Sequence, residues 1–384
     1  MKKNLMYAGV LLMFSSLMTA QENYKDVTGK YAYTNESQYP VHFYNAKEST
    51  FKGKPKNIIL LIGDGMGVTQ VFSGITANGG ALNLMNMKSI GFSKTQSANN
   101  YITDSAAGGT ALACGVKTYN GAIGVDKDGN KATSILELGE QNGKATGLVS
   151  TSAITHATPA SFIAHVASRS SYEDIALDFL KTQVDVFIGG GMKHFSERKD
   201  GKNLIAELEA KNYRVFNNLE EAASVNSGNL AVLTAPEHND VATKRELKLD
   251  LATEKAIKVL DNNKGKEGFF LMVEGSQIDW GGHQNDAGYV VTEMLDFDRA
   301  IAKALEFAVK DRNTLVIVTA DHETGGMSLV GGDIKKGSVK TNFGSSDHTA
   351  VMVPVFAFGP GAQEFQGIYE NVEVFNKMKS LFGF

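Results

Sequence analysis

The sequence predicts an α/β protein: a three-layer sandwich with a large, mostly parallel central sheet and helices on both of its faces. Short apolar runs alternate along the chain with amphipathic helical patterns, which is the order of elements in such folds. Several of these runs are apolar throughout, as strands buried on both faces of a parallel sheet are. The 384 residues, 42% hydrophobic and 21% charged, are enough for a sizeable core and exclude a disordered or fibrous protein.

Six apolar runs are predicted as strands. They are residues 57–62, 145–150, 185–188, 269–273, 314–319 and 354–358. Apolar residues also recur at helical spacing in two stretches. These are Leu249, Ala252, Ala256 and Val259, and then Val291, Leu295, Ala302 and Leu305, with Asp298 interrupting the second stripe. Residues 191–245 are more polar and less regular, so we expect a peripheral insertion there and no second domain.

The N-terminal end has the features of a signal peptide. Lys2 and Lys3 form a short basic region, residues 5–18 are nearly all apolar, and the small Ala20 precedes polar residues. The apolar run is shorter than the ~20 residues of a membrane span, although an uncleaved anchor is the alternative. We therefore expect residues 1–20 to be removed, the mature chain to be periplasmic or secreted, and one domain over residues 21–384.

Charge and cysteine content narrow the classes of partner. The formal net charge is −4, which argues against a nucleic-acid-binding protein held by phosphate contacts. Cys114 is the only cysteine, so no internal disulfide is available to stabilise the fold. Neither nucleic acid nor, after signal cleavage, a membrane is an expected partner.

Acidic and histidine side chains follow three of the predicted strands. They are Asp64 after the first, Glu274, Asp279 and His283 after the fourth, and Asp321 and His322 after the fifth. Because ligands of open α/β sheets bind at the carboxyl ends of the strands, we expect these residues to converge. Asp, Glu and His are the usual ligands of divalent metals, and His348 beside Asp347 is a further candidate. The alternative for Asp64 is a turn or cap residue. His156 is the fourth histidine candidate, whereas His42, His165, His194 and His238 are interpreted as core or surface residues.

Ser105 lies in a stretch of small residues that is typical of the start of a helix. The structural interpretation is an N-cap followed by tight packing. The functional one is a nucleophile at the positive end of a helix dipole, where an oxyanion and a phosphate are both favoured. The sequence has no Gly-x-Ser-x-Gly elbow and no obvious histidine base for this serine, so a metal would have to activate it.

Arg169 is a candidate for phosphate binding. Pro159 suits the first turn of a helix, which would put Arg169 about three turns further along that helix. Its role is then either a surface salt bridge or a bidentate clamp on two phosphate oxygens.

In their order along the chain, these motifs closely resemble those of the alkaline phosphatase family. The resemblance runs from Lys56 to Gly361 and rests on residues 62–67, 103–107, 115–121, 156–159, 274–279, 319–326 and 348–349. It implies hydrolysis of phosphate monoesters at alkaline pH, through a phosphoserine, by a homodimer with two zinc ions and one magnesium ion per subunit. By the same resemblance Ser105 is the nucleophile and Arg169 binds the phosphoryl group.

The resemblance also implies a set of ligands for each metal. They are Asp279, His283 and His348 for the first zinc, Asp64, Asp321 and His322 for the second, and Asp64, Thr158 and Glu274 for the third metal. Two metals ~4 Å apart can together stabilise the entering and leaving oxygens of an in-line displacement.

Two positions depart from one well-known branch of the family, which has Asp and Lys there. This chain has His156 and Trp280, a combination that resembles some marine-bacterial members. His156 is therefore expected at the third metal site, where zinc is the alternative to magnesium, and Trp280 beside the substrate.

Two other functions are compatible with parts of this pattern. A phosphodiesterase or sulfatase could use the same metal framework, but Arg169 favours a terminal phosphate. An exported metal- or phosphate-binding protein is the alternative outside enzymes, and the presence of Ser105 argues against it.

Overall fold

A ten-stranded sheet lies at the centre of the molecule in the computed structural model, which describes residues 29–263 and 267–384. The expected signal peptide lies outside the described residues. The strands are β1 (Ala32–Thr34), β2 (Asn57–Gly63), β3 (Ser89–Lys94), β4 (Ala145–Ala153), β5 (Val186–Gly190), β6 (Arg214–Phe216), β7 (Leu230–Leu233), β8 (Phe269–Gly275), β9 (Thr314–Thr319), β10 (Glu323–Thr324), β11 (Met327–Asp333), β12 (Ser338–Phe343), β13 (His348–Thr349), β14 (Val353–Phe358) and β15 (Gly367–Glu370).

The large sheet has the strand order β15-β3-β14-β9-β2-β8-β4-β5-β7-β6. Among its described strands, only β14 runs antiparallel to its neighbours, β3 and β9. Two small antiparallel sheets, β1-β12-β11 and β10-β13, lie outside it. The prediction of a large, mostly parallel sheet is therefore confirmed.

Helices lie on both sides of this sheet. They are α1 (Val68–Ala77), α2 (Ser105–Cys114), α3 (Ile135–Gln141), α4 (Ala157–Ala160), α5 (Tyr172–Asp178), α6 (Met192–Ser196), α7 (Leu204–Ala210), α8 (Leu249–Asp261), α9 (Gln277–His283), α10 (Ala287–Asp311) and α11 (Val372–Phe382). No helix in these two described ranges is long and apolar enough to cross a membrane.

The alternation of side chains along β2 connects the two halves of the core. Ile59 and Leu61 face one apolar cluster, which also contains Phe297 of α10. Ile58 and Leu60 face the opposite cluster, to which α2 contributes. Every residue of β2, β8 and β9 is buried, which explains why these strands have no polar alternation in the sequence.

All six predicted strands are present, and the two helical patterns correspond to α8 and α10. Asp298, which interrupts the second pattern, is fully buried. Its Oδ2 accepts a hydrogen bond from the Tyr39 hydroxyl at 2.7 Å and its Oδ1 accepts one from the Leu84 amide at 3.0 Å. Asp298 interrupts the apolar pattern because its buried, fully hydrogen-bonded carboxylate connects α10 to the N-terminal region.

Residues 191–245 contribute β6 and β7, the two outermost strands at one edge of the sheet, together with α6 and α7. The segment is therefore continuous with the sheet, and its description as an insertion stays a prediction. It also carries a loop after β7 that returns toward the carboxyl ends of β4 and β5.

The expected long helix after Pro159 is wrong. Helix α4 ends at Ala160, and Arg169 lies in the loop that follows it. In that loop Val166 forms an antiparallel bridge with Ile123, and the Arg169 amide donates to the Gly121 carbonyl at 2.7 Å. These contacts with a distant segment hold the chain extended, and local sequence carries no signal for them.

Candidate active site

The candidate residues meet where three neighbouring strands end. Strands β9, β2 and β8 are adjacent and parallel, and Ile62 is in register with both Glu274 and Thr319. The turns that follow these strands therefore start side by side. Asp64, Asp279 and the neighbours of Thr319 are brought to one edge of the sheet, as the strand-end argument from sequence anticipates.

The acidic and histidine side chains at this edge form three clusters that could hold metal ions. In each cluster the candidate ligand atoms all lie within 4.8 Å of one another. The clusters are Asp279, His283 and His348; Asp64, Asp321 and His322; and Asp64, His156 and Glu274. Asp64 is shared by two of them, so the second and third clusters are contiguous.

Both histidines of the first cluster are oriented by backbone carbonyls. His283 Nδ1 lies 2.8 Å from the Ser346 carbonyl oxygen, and His348 Nδ1 lies 2.8 Å from that of Thr103. Each Nδ1 can then carry the proton and donate, which leaves the Nε2 lone pair free. The two Nε2 atoms are 3.2 Å apart, and His283 Nε2 is 3.3 Å from an Asp279 oxygen. This is the arrangement of a preoriented metal-ligand set.

The second cluster is fully buried and lies against the first. His322 Nε2 is 3.4 Å from an Asp64 oxygen and 3.2 Å from an Asp321 oxygen. The His322 ring stacks on the His348 ring, with centroids 3.6 Å apart. The Thr324 hydroxyl lies 3.2 Å from His322 Nδ1 and also contacts Asp279, so one side chain orients a member of each cluster.

The third cluster is surrounded by hydroxyl groups. Glu274 Oε2 accepts hydrogen bonds from Ser150 at 2.7 Å, Ser276 at 2.6 Å and Ser152 at 3.3 Å. Its other oxygen has none of these partners. Thr158 is fully buried in α4, and it lies close enough to Glu274 to oppose the rise in the pKa of that carboxyl that burial causes.

Orphaned polar atoms provide the test of whether the clusters fit metal ions. Several buried side-chain atoms lack a hydrogen-bond partner in the described part of the chain. At the site they are both carboxylate oxygens of Asp64, Glu274 Oε1, Asp321 Oδ2, His156 Nδ1 and Thr158 Oγ1. Buried polar atoms are nearly always paired, and these are all atom types that bind divalent cations. The residues therefore fit the metals that the motifs imply.

The electrostatics of the protein alone favour the same interpretation. Burial raises the pKa of Asp64 well above its ordinary value, and the nearby carboxylates of Asp321, Asp279 and Glu274 raise it further. Burial, followed by Asp279 and Glu274, raises the pKa of Asp321 to about 7. Burial, followed by the Arg169 guanidinium and His238, lowers the pKa of His156 to about 3. Asp64 and Asp321 therefore need additional positive charge nearby to ionise fully at neutral pH, whereas His156 is neutral and able to coordinate.

Ser105 is the first residue of α2 and is almost completely buried. The Asp104 side chain caps this helix by accepting a hydrogen bond from the Ala107 amide at 3.0 Å. Ser105 Oγ lies 3.2 Å from His322 Nε2, so a histidine that the sequence could not assign to this serine is in contact with it. The two residues are 217 positions apart along the chain, and no local motif connects them.

Asp104 also holds Arg169. Arg169 Nη1 donates to Asp104 Oδ2 at 3.0 Å, and the same oxygen accepts from the Gly121 amide at 3.0 Å. Arg169 Nη2 lies 3.3 Å from His156 Nε2. Asp104 therefore connects the helix of Ser105 to the guanidinium, a role that its N-cap position alone does not indicate.

Glu323 is a second residue whose role the sequence did not indicate. Its carboxylate accepts from Gln70 of α1 at 2.7 Å and from the Met327 amide at 3.1 Å, and it also contacts the Thr349 hydroxyl. Thr349 follows His348 in β13, which pairs with β10. Glu323 thereby fixes the strand that carries His348 to the site.

Comparison with known proteins agrees with this geometry. The family model for alkaline phosphatase matches residues 55–342 of the chain, which include every candidate residue except His348. The chain belongs to the alkaline phosphatase family.

Relatives of the same family match most of the chain. Alkaline phosphatase 4 of Bacillus subtilis is 35% identical, over 85% of this chain and 88% of its own length. The alkaline phosphatase of Escherichia coli is 33% identical, with 88% of each chain covered. The alkaline phosphatase from the Antarctic bacterium TAB5 has 44% sequence identity to this chain. Its solved structure superimposes with a TM-score of 0.81, covering 86% of this chain and 98% of that one.

This alkaline phosphatase family member is an enzyme that hydrolyses phosphate monoesters and depends on metal ions. A His-to-Asp variant of the TAB5 enzyme, with a TM-score of 0.82 to this chain, was solved with magnesium bound in its M3 site.

Proposed function

We propose that Ser105 is the nucleophile of this phosphatase and that the three clusters hold two zinc ions and one magnesium ion per subunit. The observation that carries the proposal is the set of orphaned, buried ligand atoms around the serine. A protein that only bound phosphate would not need a buried hydroxyl at a helix start beside two such clusters. The experiment that tests the proposal is identification of the residue that becomes phosphorylated.

We assign one cation to each of the three clusters. Asp279, His283 and His348 would hold the first zinc; Asp64, Asp321 and His322 the second; and Asp64, Thr158 and Glu274, with His156 nearby, the magnesium. Bound cations supply Lewis acidity, which stabilises negative charge on the oxygens that enter and leave phosphorus. Zinc is the alternative at the third cluster because His156 is a softer ligand than a carboxylate.

The chain's own residues carry out a two-step transfer. Ser105 Oγ forms a bond to phosphorus while the bond from phosphorus to the alcohol oxygen breaks, and the serine proton leaves with the alcohol. Water then attacks the phosphoserine, which releases inorganic phosphate and restores the hydroxyl. Arg169, fixed by Asp104, presents its guanidinium to the non-bridging oxygens, and the start of α2 adds the positive end of a helix dipole.

Replacing Arg169 is expected to weaken phosphate binding. A charge-assisted hydrogen-bond pair contributes a few kcal/mol, so Arg169→Ala should raise the inhibition constant of inorganic phosphate about 10- to 100-fold. It should also lower the ratio of the hydrolysis rate of p-nitrophenyl phosphate to the hydrolysis rate of the corresponding diester. Arg169→Lys is the matched control, since it keeps the charge and loses the planar fork. An unchanged phosphate inhibition constant in Arg169→Ala would remove the clamp from the mechanism.

The His156→Asp variant is expected to bind magnesium more tightly. A carboxylate supplies the oxygen ligand that magnesium prefers, so half-maximal activation should need less magnesium. The magnesium-bound His-to-Asp variant of the TAB5 enzyme supports this expectation. The measurement is magnesium titration of both activity and bound metal, with His42→Asp, at an exposed position, as the control. A half-activation concentration equal to or above that of the parent would contradict the assignment.

Trp280→Lys is expected to slow the enzyme by retaining product. The new ammonium would lie in the neighbourhood of His156 and Arg169, where it adds positive charge for phosphate. Phosphate inhibition should become tighter, and kcat should fall where product release limits turnover. Trp280→Phe is the uncharged control. If the Lys variant keeps the parental phosphate inhibition constant and kcat, the charge argument is wrong.

We further propose that the mature enzyme is exported and homodimeric. Residues 1–20 would act as a signal peptide, leaving residues 21–384 as one catalytic domain in the periplasm or outside the cell. Val68 and Phe72, one turn apart on α1, are each 48% exposed, and Tyr101 is 78% exposed. We therefore take these exposed apolar side chains as candidates for the surface that a second subunit would cover.

A further inference from the structure

His238 lies on the loop after β7, in the segment from Thr234 to Asn239, and it reaches the active site from outside the family motifs. The loop is held on both sides of the histidine. Before it, the Ala235 carbonyl accepts from the amides of Gly191 at 2.9 Å and Met192 at 3.0 Å. After it, the Asn239 carbonyl accepts from Gln277 Nε2 at 2.8 Å.

The backbone at residue 237 packs directly on the end of β5. A Cβ added at Gly190 would lie 2.0 Å from the Glu237 carbonyl oxygen, so the close approach requires glycine there. The Glu237 carboxylate is 3.2 Å from Nε2 of the buried His194, and it also contacts Lys193. The loop therefore presents His238 from a defined backbone position.

The His238 side chain makes two kinds of contact. Its Nδ1 accepts a hydrogen bond from the Ala153 amide at 3.0 Å, so in the neutral ring the proton lies on Nε2. Its ring meets Trp280 edge-on, with centroids 4.9 Å apart at 78°, and His156 with centroids 5.5 Å apart at 88°. His156 and Trp280 also meet edge-on at 6.2 Å, so the three rings contact one another.

The hydrogen bond acts on the turn that carries His156. The carbonyl of Ala153 accepts from the His156 amide at 2.8 Å, while its amide donates to His238. His238 thus fixes the same peptide segment from which the His156 ring extends. The contact between the His238 and Trp280 rings fixes Trp280, which follows Asp279 on α9.

We propose that His238 is a positioning residue that orients His156 and Trp280, and that it thereby sets the cation affinity of the third cluster. The inference rests on the proposed function in one respect, the assignment of a cation to Asp64, His156 and Glu274. The hydrogen bond from Ala153 to His238 fixes the turn that carries His156, and the His238 ring fixes the Trp280 indole. Groups that only orient a ligand commonly change metal affinity by about 10- to 100-fold when they are removed.

Three variants separate these two contacts. His238→Asn keeps an acceptor for the Ala153 amide, since Asn Oδ1 takes the position of His Nδ1, but it loses the ring. His238→Phe keeps a ring and loses the acceptor, and His238→Ala loses both. His42→Ala, at an exposed position, is the control. The Asn and Phe variants keep a sizeable side chain, so the test remains available if the Ala variant does not fold.

The first measurement is the fluorescence of Trp280, the only tryptophan of the chain, in the metal-loaded enzyme without substrate. The Ala and Asn variants should lower its anisotropy and increase its quenching by acrylamide, whereas Phe should stay close to the parent. Unchanged anisotropy and quenching in both the Ala and Asn variants would overturn the claim that His238 holds Trp280.

The second measurement is magnesium binding by equilibrium dialysis of the zinc-loaded enzyme. The Ala and Phe variants should weaken magnesium binding about tenfold or more, and the Asn variant should bind close to the parental affinity. Equal affinity in all variants would overturn the link between His238 and the third cluster. Neither measurement needs turnover, so absence of a phosphoserine would refute the proposed nucleophile and leave this test intact.

Discussion

Removal of the bound metals with a chelator is expected to lower phosphatase activity at least about 10³-fold, because several kcal/mol of transition-state stabilisation is attributed to such ions. Zinc with magnesium should restore it, and neither ion alone should do so fully. The measurement is p-nitrophenyl phosphate hydrolysis before and after dialysis, with metal content determined on the same samples. Full activity in a sample free of metal would refute the metal mechanism.

The loss of metals is also expected to lower thermal stability in a pH-dependent way. The pKa of buried Asp321 is raised from 3.8 to about 7, mainly by burial and then by Asp279 and Glu274. A carboxyl with a raised folded-state pKa holds its proton longer than in the unfolded chain, so its contribution is present at low pH and is lost as the pH rises through about 4 to 7. Between pH 5 and pH 8, the Tm of the metal-free protein should therefore fall more than the Tm of the metal-loaded protein. An equal Tm difference at both pH values would contradict this account of the cluster.

Ser105→Ala is expected to abolish the covalent phosphoenzyme and to lower kcat on the order of 10³-fold or more, as loss of a nucleophile does in other enzymes. The variant removes none of the Asp, Glu and His side chains that form the three clusters, so it should keep its metals. Ser168→Ala, an exposed serine one residue before Arg169, is the control and should behave as the parent does. A variant that retains parental turnover would show that another group accepts the phosphoryl group.

The sequence predicted best the central strands of the large sheet. Strands β2, β8 and β9 are uninterrupted apolar runs, and the order of elements then predicts that their following turns share one edge of the sheet. Strands β3 and β15 were missed because they lie toward an edge, and their side chains are mostly half-buried or exposed. Their pairing partners, and not their own composition, make them strands.

The candidate site divides in the same way. Candidate residues within motifs, such as Asp64 and Ser105, can be named from the sequence, and in the structure both lie within 3.4 Å of His322 Nε2. Asp104 has the ordinary appearance of an N-cap, although its second oxygen holds Arg169. His238 is in no motif, and only the course of the loop after β7 brings it to Trp280. Such roles depend on contacts between distant segments, which local pattern and spacing do not encode.

Whether Ser105 accepts the phosphoryl group can be decided by mapping the phosphorylated peptide. Metal-loaded enzyme is mixed with p-nitrophenyl phosphate, quenched in acid within the first turnovers, digested and analysed by mass spectrometry. If Ser105 is the nucleophile, we expect one added phosphate on the peptide that contains Ser105, and none in the Ser105→Ala variant treated in the same way. Phosphate on any other residue, or its persistence in the Ser105→Ala variant, would contradict it.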